Sequence, residues 1–300
     1  SSIRIRRTSM TKRSIEAVLP PPAPHMVGDG FRVSNFFPQG YNMPQDRLSP
    51  FFLLDYNAPV DFSPREQPRG VGVHPHRGFE TVTIAFKGKV AHHDSAGHSG
   101  VIGEGDVQWM TAGSGVLHKE YHEAEFSRTG GTFHMAQLWV NLPRKHKMEA
   151  PRYQPIKKED MAQVPLPDGK SEARIIAGEL FGAKGPARTW SPIIAAMVKL
   201  AAGGEARFDL PASYNSAMLV VEGAANVNSS DALTDHLVVF RNDGEEVSVT
   251  SSEGATLLVL SGEPLNEPIA AYGPFLMNTV EELQQAFKDV AAGKFGVLED

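Results

Sequence analysis

The sequence predicts a mostly β protein, with an antiparallel sandwich or barrel in each half of the chain and a short helix near the C-terminal end. Apolar runs such as TVTIAF, MLVVEG and TLLVL have the length of strands and are too short for helices. Glycine-containing breaks such as KGK, GEGD and NDGEE separate the runs, as is typical of antiparallel sheets. Near the end, Thr279 and Glu282 have capping-box spacing and start an amphipathic helical pattern that Gly293 ends.

The length of 300 residues is typical of two domains. A polar stretch from about Pro143 to Gly185 is dense in proline and charge, and it predicts a linker with a crossover. We therefore assign residues 26–150 to a first domain and 151–300 to a second domain that includes the terminal helix. Residues 1–25 are predicted to be an N-terminal extension. Its opening SSIRIRRTSMTKRS resembles transit peptides and basic arms in composition, but no apolar region or cleavage signal follows, which favours a solvated extension.

Composition excludes several classes of partner. The formal net charge of -6 provides no global field that would attract nucleic acid, so no direct nucleic-acid partner is predicted. No apolar run approaches the roughly 20 residues that cross a bilayer, so we expect a soluble protein with no membrane partner. The absence of cysteine excludes disulfides and thiolate metal sites. It fits a reducing compartment, and we expect a cytoplasmic protein, or also a nuclear one if the source is eukaryotic.

The histidines are concentrated in the first domain. Ten of the eleven lie before residue 150, and the second half keeps only His236. This asymmetry predicts that the chemistry belongs to the first domain. A second domain with one imidazole is predicted to have no equivalent metal site.

Two short motifs in the first domain have the spacing of metal ligands on strands. Residues two apart share one face of a strand, so His74 and His76 can point together. His118 and Glu120 repeat that spacing after the turn TAGSG. An H-x-H alone is often a pair of hydrogen-bonded surface histidines. Two pairs on neighbouring strands would offer three nitrogens and one oxygen to one metal with open positions, as in non-haem iron enzymes.

Other residues are candidates for the ligand set or the pocket around it. Glu80 has the same strand parity as the two histidines of the first motif, so it is a rival of Glu120 or a hydrogen-bond acceptor for a ligand imidazole. Spacing alone leaves that choice open. His92 lies in the loop-like cluster HHDSAGH and is a candidate for the pocket lining. Trp109 is a candidate pocket wall, with the hydrophobic core as the alternative.

The stretches HPHRGFETVT, HDSAGH, GDVQWMTAGSGVLHKE and GPFLMNTVEELQQAF resemble the pirin family, a branch of the cupin superfamily. The resemblance implies a bicupin: two tandem cupin β-barrels of the double-stranded β-helix, or jelly-roll, type. It also implies one mononuclear metal in the N-terminal barrel, Fe(II) being favoured over other divalent transition metals. The implied ligands are His74, His76, His118 and Glu120, so the resemblance favours Glu120 over Glu80. Lys119 stands where alanine is common in pirins, and strand alternation predicts that it points away from the metal.

The resemblance leads to two functional hypotheses. Some pirins resemble quercetin 2,3-dioxygenases, which cleave the flavonol ring with O2 and release carbon monoxide. That hypothesis implies a small aromatic, flavonol-like substrate and Glu120 as general base. It also implies an apolar pocket wall that includes Phe79 and Trp109 and receives the aromatic rings. The alternative is a non-enzymatic, iron-binding, redox-sensing regulator that acts through a protein partner, either as a transcription co-regulator or as a modulator of a metabolic enzyme. A monomer is favoured in both cases.

Overall fold

The computed structural model of the protein describes residues 11–300. In chain order, the strands as far as residue 156 are β1 (Ile15–Leu19), β2 (His25–Val27), β3 (Phe31–Phe37), β4 (Phe51–Phe62), β5 (Gly70–His76), β6 (Phe79–Lys87), β7 (Val90–Asp94), β8 (Ser99–Ile102), β9 (Val107–Thr111), β10 (Val116–His122), β11 (Gly131–Asn141) and β12 (Arg152–Ile156). Helix α1 (Ala124–Thr129) lies between β10 and β11.

After residue 156 the strands are β13 (Gln163–Pro165), β14 (Glu172–Ala177), β15 (Glu179–Leu180), β16 (Ala183–Lys184), β17 (Ile193–Leu200), β18 (Gly204–Asp209), β19 (Asn215–Gly223), β20 (Ala225–Val227), β21 (Ser230–Ala232), β22 (Leu237–Phe240), β23 (Glu246–Ser251), β24 (Ala255–Gly262), β25 (Ala270–Tyr272) and β26 (Phe275–Met277). Helix α2 (Val280–Ala291) follows. It begins at Thr279, whose side chain accepts a hydrogen bond from the backbone N–H of Glu282, as the sequence predicts.

These strands form two barrels of the same plan. The first barrel combines a seven-stranded sheet of order β12-β9-β6-β11-β4-β3-β2 with a four-stranded sheet of order β5-β10-β7-β8. The second combines a seven-stranded sheet of order β1-β22-β19-β24-β17-β14-β13 with a four-stranded sheet of order β18-β23-β20-β21. Every pairing within these sheets is antiparallel. The prediction of an all-β fold with two cupin barrels and a short C-terminal helix is confirmed.

The two large sheets pack against each other through their outer faces. Val82, Trp109 and Leu138 of the first barrel share one buried cluster with side chains of the second barrel, such as Leu219 and Leu258. Strand alternation directs the neighbouring residues of β6 and β9 into the first barrel instead. The structure therefore places Trp109 in the core between the barrels, which was the alternative to its role as a pocket wall.

The N-terminal segment belongs to the second barrel. Strand β1 pairs with β22, and just before it Arg13, only 1% exposed, donates hydrogen bonds to the backbone carbonyls of Arg241 and Pro211 at 2.8 Å each. A buried guanidinium with carbonyl partners fixes this segment in place, so the solvated extension predicted here is wrong for residues 11–19. Residues 1–10 of that prediction lie outside the described residues.

The C-terminal segment returns to the first barrel. Phe275 and Phe295 pack in one cluster with Leu117 of β10, and Arg77 forms an ion pair of 2.8 Å with Asp289 of α2. The terminal helix therefore packs on the first barrel, although the sequence predicted it as part of the second. Strand β12 also joins the first barrel, so a limit at residue 150 would cut off one strand of its sheet. Among residues 11–300, neither helix is long and apolar enough to cross a membrane.

Candidate metal centre

Three histidines meet where β5 pairs with β10. The register places His74 directly opposite His118, with His76 one step further along the same face. Ring centroids lie 4.1 Å apart for His74 and His118, 4.5 Å for His76 and His118, and 4.8 Å for His74 and His76. One ring nitrogen from each lies within 4.8 Å of the others, which is close enough for a shared ion. The structure thus brings together the two motifs that the sequence singled out.

The chemistry of these side chains fits a metal ion. His118 is 1% exposed, and neither of its ring nitrogens has a hydrogen-bond partner among residues 11–300. Burial, followed by repulsion from neighbouring imidazoles, lowers the pKa of His76 and of His118 well below the usual value. Both rings are therefore neutral at pH 7 and keep lone pairs available for coordination. A buried polar group without a partner destabilises the fold. A bound cation would supply the missing partner of the His118 ring.

Backbone carbonyls orient two of the three imidazoles. His74 Nδ1 lies 2.7 Å from the carbonyl oxygen of Gly72, and His76 Nδ1 lies 3.4 Å from that of Pro274. An Nδ1–H donated to a carbonyl leaves Nε2 as the free ligand atom, an arrangement common around metal-binding histidines. The carbonyl of Pro274 comes from the C-terminal segment, so that segment helps to position a side chain of the first barrel.

Glu120 provides a buried carboxylate beside this cluster. In the pairing of β10 with β5 a register shift lies between His118 and Glu120, and in the regular pairing of β10 with β7 Glu120 lies opposite His92. Gln137 Nε2 lies 3.1 Å and 3.3 Å from the two carboxylate oxygens and holds them from the other sheet. His92, His118 and Glu120 form a second group whose potential ligand atoms lie within 4.8 Å of one another. The two groups share His118, and together they offer the nitrogen and oxygen donors that a divalent transition metal accepts.

His92 lies inside the barrel and is completely buried. Its Nε2 lies 3.0 Å from Asp94 Oδ2, and its ring stacks on Tyr153 at a centroid distance of 5.0 Å. The centroid of His118 is 5.6 Å away. His92 is thus a buried neighbour of the cluster, and its role as a pocket residue stays a prediction. Lys119 points the other way, and its Nζ donates to the carbonyl of Glu299 at 2.5 Å.

Glu80 does not face the histidine cluster. It is fully buried on the same side of β6 as Val82, and it accepts a hydrogen bond of 2.5 Å from Thr111. Burial raises its pKa to about 7. The parity argument fails here because β5 ends at His76, and a turn through Gly78 with φ of 93° restarts the alternation. The rival position for Glu80 in the ligand set is therefore excluded by the direction of its side chain.

Phe79 packs behind the cluster instead of lining an open wall. Its ring is buried, with its centroid 5.0 Å from that of His76 and stacked on Trp139 at 4.2 Å. Trp139 lies 5.4 Å from His76 and is half-buried, so it is the aromatic wall on the open side. The sequence analysis did not single out Trp139, Gln137 or Tyr153. The one available signal was the polar Gln137 at an inward position of an apolar strand.

A cavity of about 50 Å³ adjoins the cluster, and His74 and Glu120 form part of its lining. Gln137 and Asp55 supply the other polar groups. The rest of the wall is apolar and includes Phe31 and Met135. A small ligand in this cavity would contact the candidate metal ligands in a mostly apolar environment, which is typical of enzyme pockets.

Two stacked jelly-roll barrels with a histidine-rich cavity in the first define a two-domain cupin protein with a candidate metal centre. The family comparison is more specific. The "Pirin" family model matches residues 30–140, and the "Pirin C-terminal cupin domain" model matches residues 195–296. The chain belongs to the pirin family, as its resemblance in sequence indicated.

Individual relatives agree with this assignment. A protein of Pseudomonas aeruginosa named "Putative quercetin 2,3-dioxygenase" is 49% identical over 271 residues, which are 90% of this chain and 94% of that protein. The Pirin of Homo sapiens is 36% identical over 83% of both chains. A crystal structure of a quercetin 2,3-dioxygenase from Acinetobacter baumannii aligns with 46% identity and a TM-score of 0.91, over 96% of this chain and 100% of that chain.

Proposed function

We propose that this protein is a metal-dependent dioxygenase that cleaves a flavonol such as quercetin with O2 and releases carbon monoxide. The proposed centre is one Fe(II) ion held by His74, His76, His118 and Glu120. The observation that carries the proposal is the buried His118, whose two ring nitrogens lack partners in residues 11–300 while two further imidazoles lie beside it. The names of the relatives from Pseudomonas aeruginosa and Acinetobacter baumannii support the choice of reaction.

The residues around the centre have distinct tasks in this proposal. When bound, a divalent metal acts as a Lewis acid for substrate oxygens and favours the ionised form of a coordinated hydroxyl. Glu120 accepts the proton of the flavonol 3-hydroxyl as general base, because its carboxylate is buried beside the cluster and is oriented by Gln137. The apolar cavity wall excludes water from the aromatic ring system. It therefore favours a substrate that presents apolar aromatic surface.

The proposal is tested with His118→Ala beside the matched control His93→Ala, a histidine of the same barrel that is exposed. We expect His118→Ala to lose most of its bound metal and its turnover, while a thermal melt still shows cooperative unfolding. His93→Ala is expected to keep both metal and turnover. Metal content is measured by elemental analysis after loading with Fe(II), and turnover is measured by the loss of visible quercetin absorbance under O2.

Three results would contradict separate parts of the proposal. Unchanged metal content in His118→Ala would remove that residue from the ligand set. Absence of turnover by the wild-type protein at every metal loading would reject the dioxygenase and favour the alternative of a metal-binding regulator. Equal turnover in Glu120→Gln would reject Glu120 as the base, whatever the metal does.

A further inference from the structure

A second, wider cleft of about 290 Å³ lies next to the metal cavity. We call it the outer cleft and define it by Asn35, Phe52, Asp55, Trp139 and Tyr272, which lie along its lining. Tyr272 comes from the C-terminal segment and is 68% exposed, so it forms the rim of the cleft. The outer cleft therefore combines aromatic surfaces with one carboxylate.

Asp55 connects the outer cleft to the metal cavity, because it belongs to the lining of both. On β4 it lies opposite Gln137 of β11 on one side and opposite Asn35 of β3 on the other. Gln137 in turn donates to Glu120. One row of side chains across the sheet thus leads from the candidate metal ligand to the outer cleft.

The carboxylate of Asp55 has few partners for a desolvated group. Burial raises its pKa, against a hydrogen bond of 2.8 Å from Asn35 Nδ2 to Oδ1. That is the one hydrogen bond to this carboxylate from within residues 11–300. A carboxylate in this state gains from a further donor, and charge-assisted hydrogen bonds are stronger than neutral ones.

Aromatic rings line the same cleft. Trp139 stacks on Phe79 with centroids 4.2 Å apart, and Phe52 lies parallel to Trp139 at 6.2 Å with an interplanar angle of 18°. This stack is fixed from behind by the core, while Trp139 remains half-buried toward the cleft. A rigid aromatic wall favours a flat aromatic ligand, because stacking requires little reordering of the protein.

We propose that the outer cleft is the subsite that selects the substrate by its second ring. A phenolic hydroxyl on that ring donates a hydrogen bond to Asp55, and the ring itself lies between Trp139 and Tyr272. This inference rests on the proposed function, because it assumes that the metal-binding ring system of a flavonol occupies the metal cavity. The inference adds which hydroxylation pattern of the second ring is preferred and which residues recognise that pattern.

The test uses three flavonols that share the metal-binding ring system and differ in the hydroxyls of the second ring: galangin with none, kaempferol with one and quercetin with two. Binding is measured without O2 by equilibrium dialysis, with both metal-free and metal-loaded protein. The variant is Asp55→Asn, which keeps an oxygen acceptor for Asn35. The matched control is Asp209→Asn, an exposed aspartate of the second barrel.

We expect Asp55→Asn to weaken quercetin and kaempferol about fivefold to tenfold and galangin less than twofold, because the charged acceptor is replaced by a neutral one. Asp209→Asn should leave all three affinities unchanged. In a second variant, Tyr272→Ala, all three flavonols should weaken by a similar factor, since the ring contact does not depend on hydroxyls. Thermal melts of each variant confirm that it is folded.

An equal loss for the three flavonols in Asp55→Asn, no loss at all, or equal wild-type affinities for the three would overturn the subsite. Selective loss without any turnover by the wild type would keep the subsite and reject the proposed dioxygenase. Turnover of quercetin with no selective loss would keep the enzyme and reject the subsite. If none of the flavonols binds, both fail.

Discussion

The two barrels have the same strand plan, but the interior of the first is polar and the interior of the second is apolar. In the first, β5 pairs with β10, which pairs with β7; in the second, β18 pairs with β23, which pairs with β20. The first set of strands carries buried His76, His118, Glu120 and His92 toward the barrel interior. The second set carries buried apolar side chains, namely Ala206, Phe208, Val247, Val249 and Val227.

This difference shows that the barrel fold itself does not require a polar interior. The second barrel is stabilised by burial of apolar surface, since its inward side chains belong to one continuous apolar cluster. The first barrel keeps buried polar atoms without partners in the described chain, among them the hydroxyls of Thr81 and Thr83 and both ring nitrogens of His118. Such groups destabilise a core, so their presence indicates that the interior is shaped for a ligand.

The largest expected effect comes from breaking the apolar interior of the second barrel. Phe208 is buried in its core and contacts Phe181 at 5.5 Å between centroids. Phe208→Ala should lower the free energy of unfolding by about 3–5 kcal/mol, because it leaves a cavity in a packed core. Denaturant unfolding measures this, with the exposed Val297→Ala as control. Metal content per folded molecule should not change; a loss of metal as large as that in His118→Ala would show that the two interiors are not independent.

A second prediction concerns Glu80, which lies between the two barrels. Burial raises its pKa to about 7 from the usual 4.5, so the folded state holds a proton that the unfolded chain releases. The stabilising contribution is complete below about pH 4.5 and is lost as the pH rises through 7, by about 3 kcal/mol in total. Glu80→Gln removes this loss and keeps an acceptor for the Thr111 hydroxyl.

We therefore expect Glu80→Gln to be more stable than the wild type at pH 8 and similar to it at pH 4. Urea unfolding at several pH values measures the difference. The control is Glu253→Gln, an exposed glutamate, whose stability should follow the wild type throughout. Parallel pH profiles for Glu80→Gln and the wild type would mean that Glu80 is ionised in the folded protein.

The smallest expected change in stability comes from a substitution at the start of α2. It tests which of the two barrels depends on that helix. Thr279→Ala removes the N-cap hydrogen bond to Glu282 and should cost about 1 kcal/mol. Hydrogen exchange should increase in α2 and in β10, which packs against the C-terminal cluster through Leu117, and not in the second barrel. The exposed Ser252→Ala is the control. Faster exchange in β23 instead of β10 would reverse the assignment of the helix to the first barrel.

Local patterns in the sequence predicted the elements of the site, and long-range pairing decided the rest. The spacing of His74 and His76 predicted a shared face, since alternation is a property of one strand. The same rule failed for Glu80, because the turn at Gly78 separates two strands with independent alternation. Gln137 and Asp55 reach the cavity through the pairing of β11 with β4, and no motif in one segment reveals such a partner.

The N-terminal segment belongs to the second barrel and the C-terminal segment packs on the first. This arrangement limits how the protein can be divided into fragments. A fragment that stops after β12 lacks the carbonyl of Pro274 beside His76 and the partner of Arg77. A fragment that starts after β12 lacks strand β1 from its large sheet. Cutting the linker therefore yields two incomplete halves, and a nicked chain should persist as a two-piece complex in which each piece completes the other.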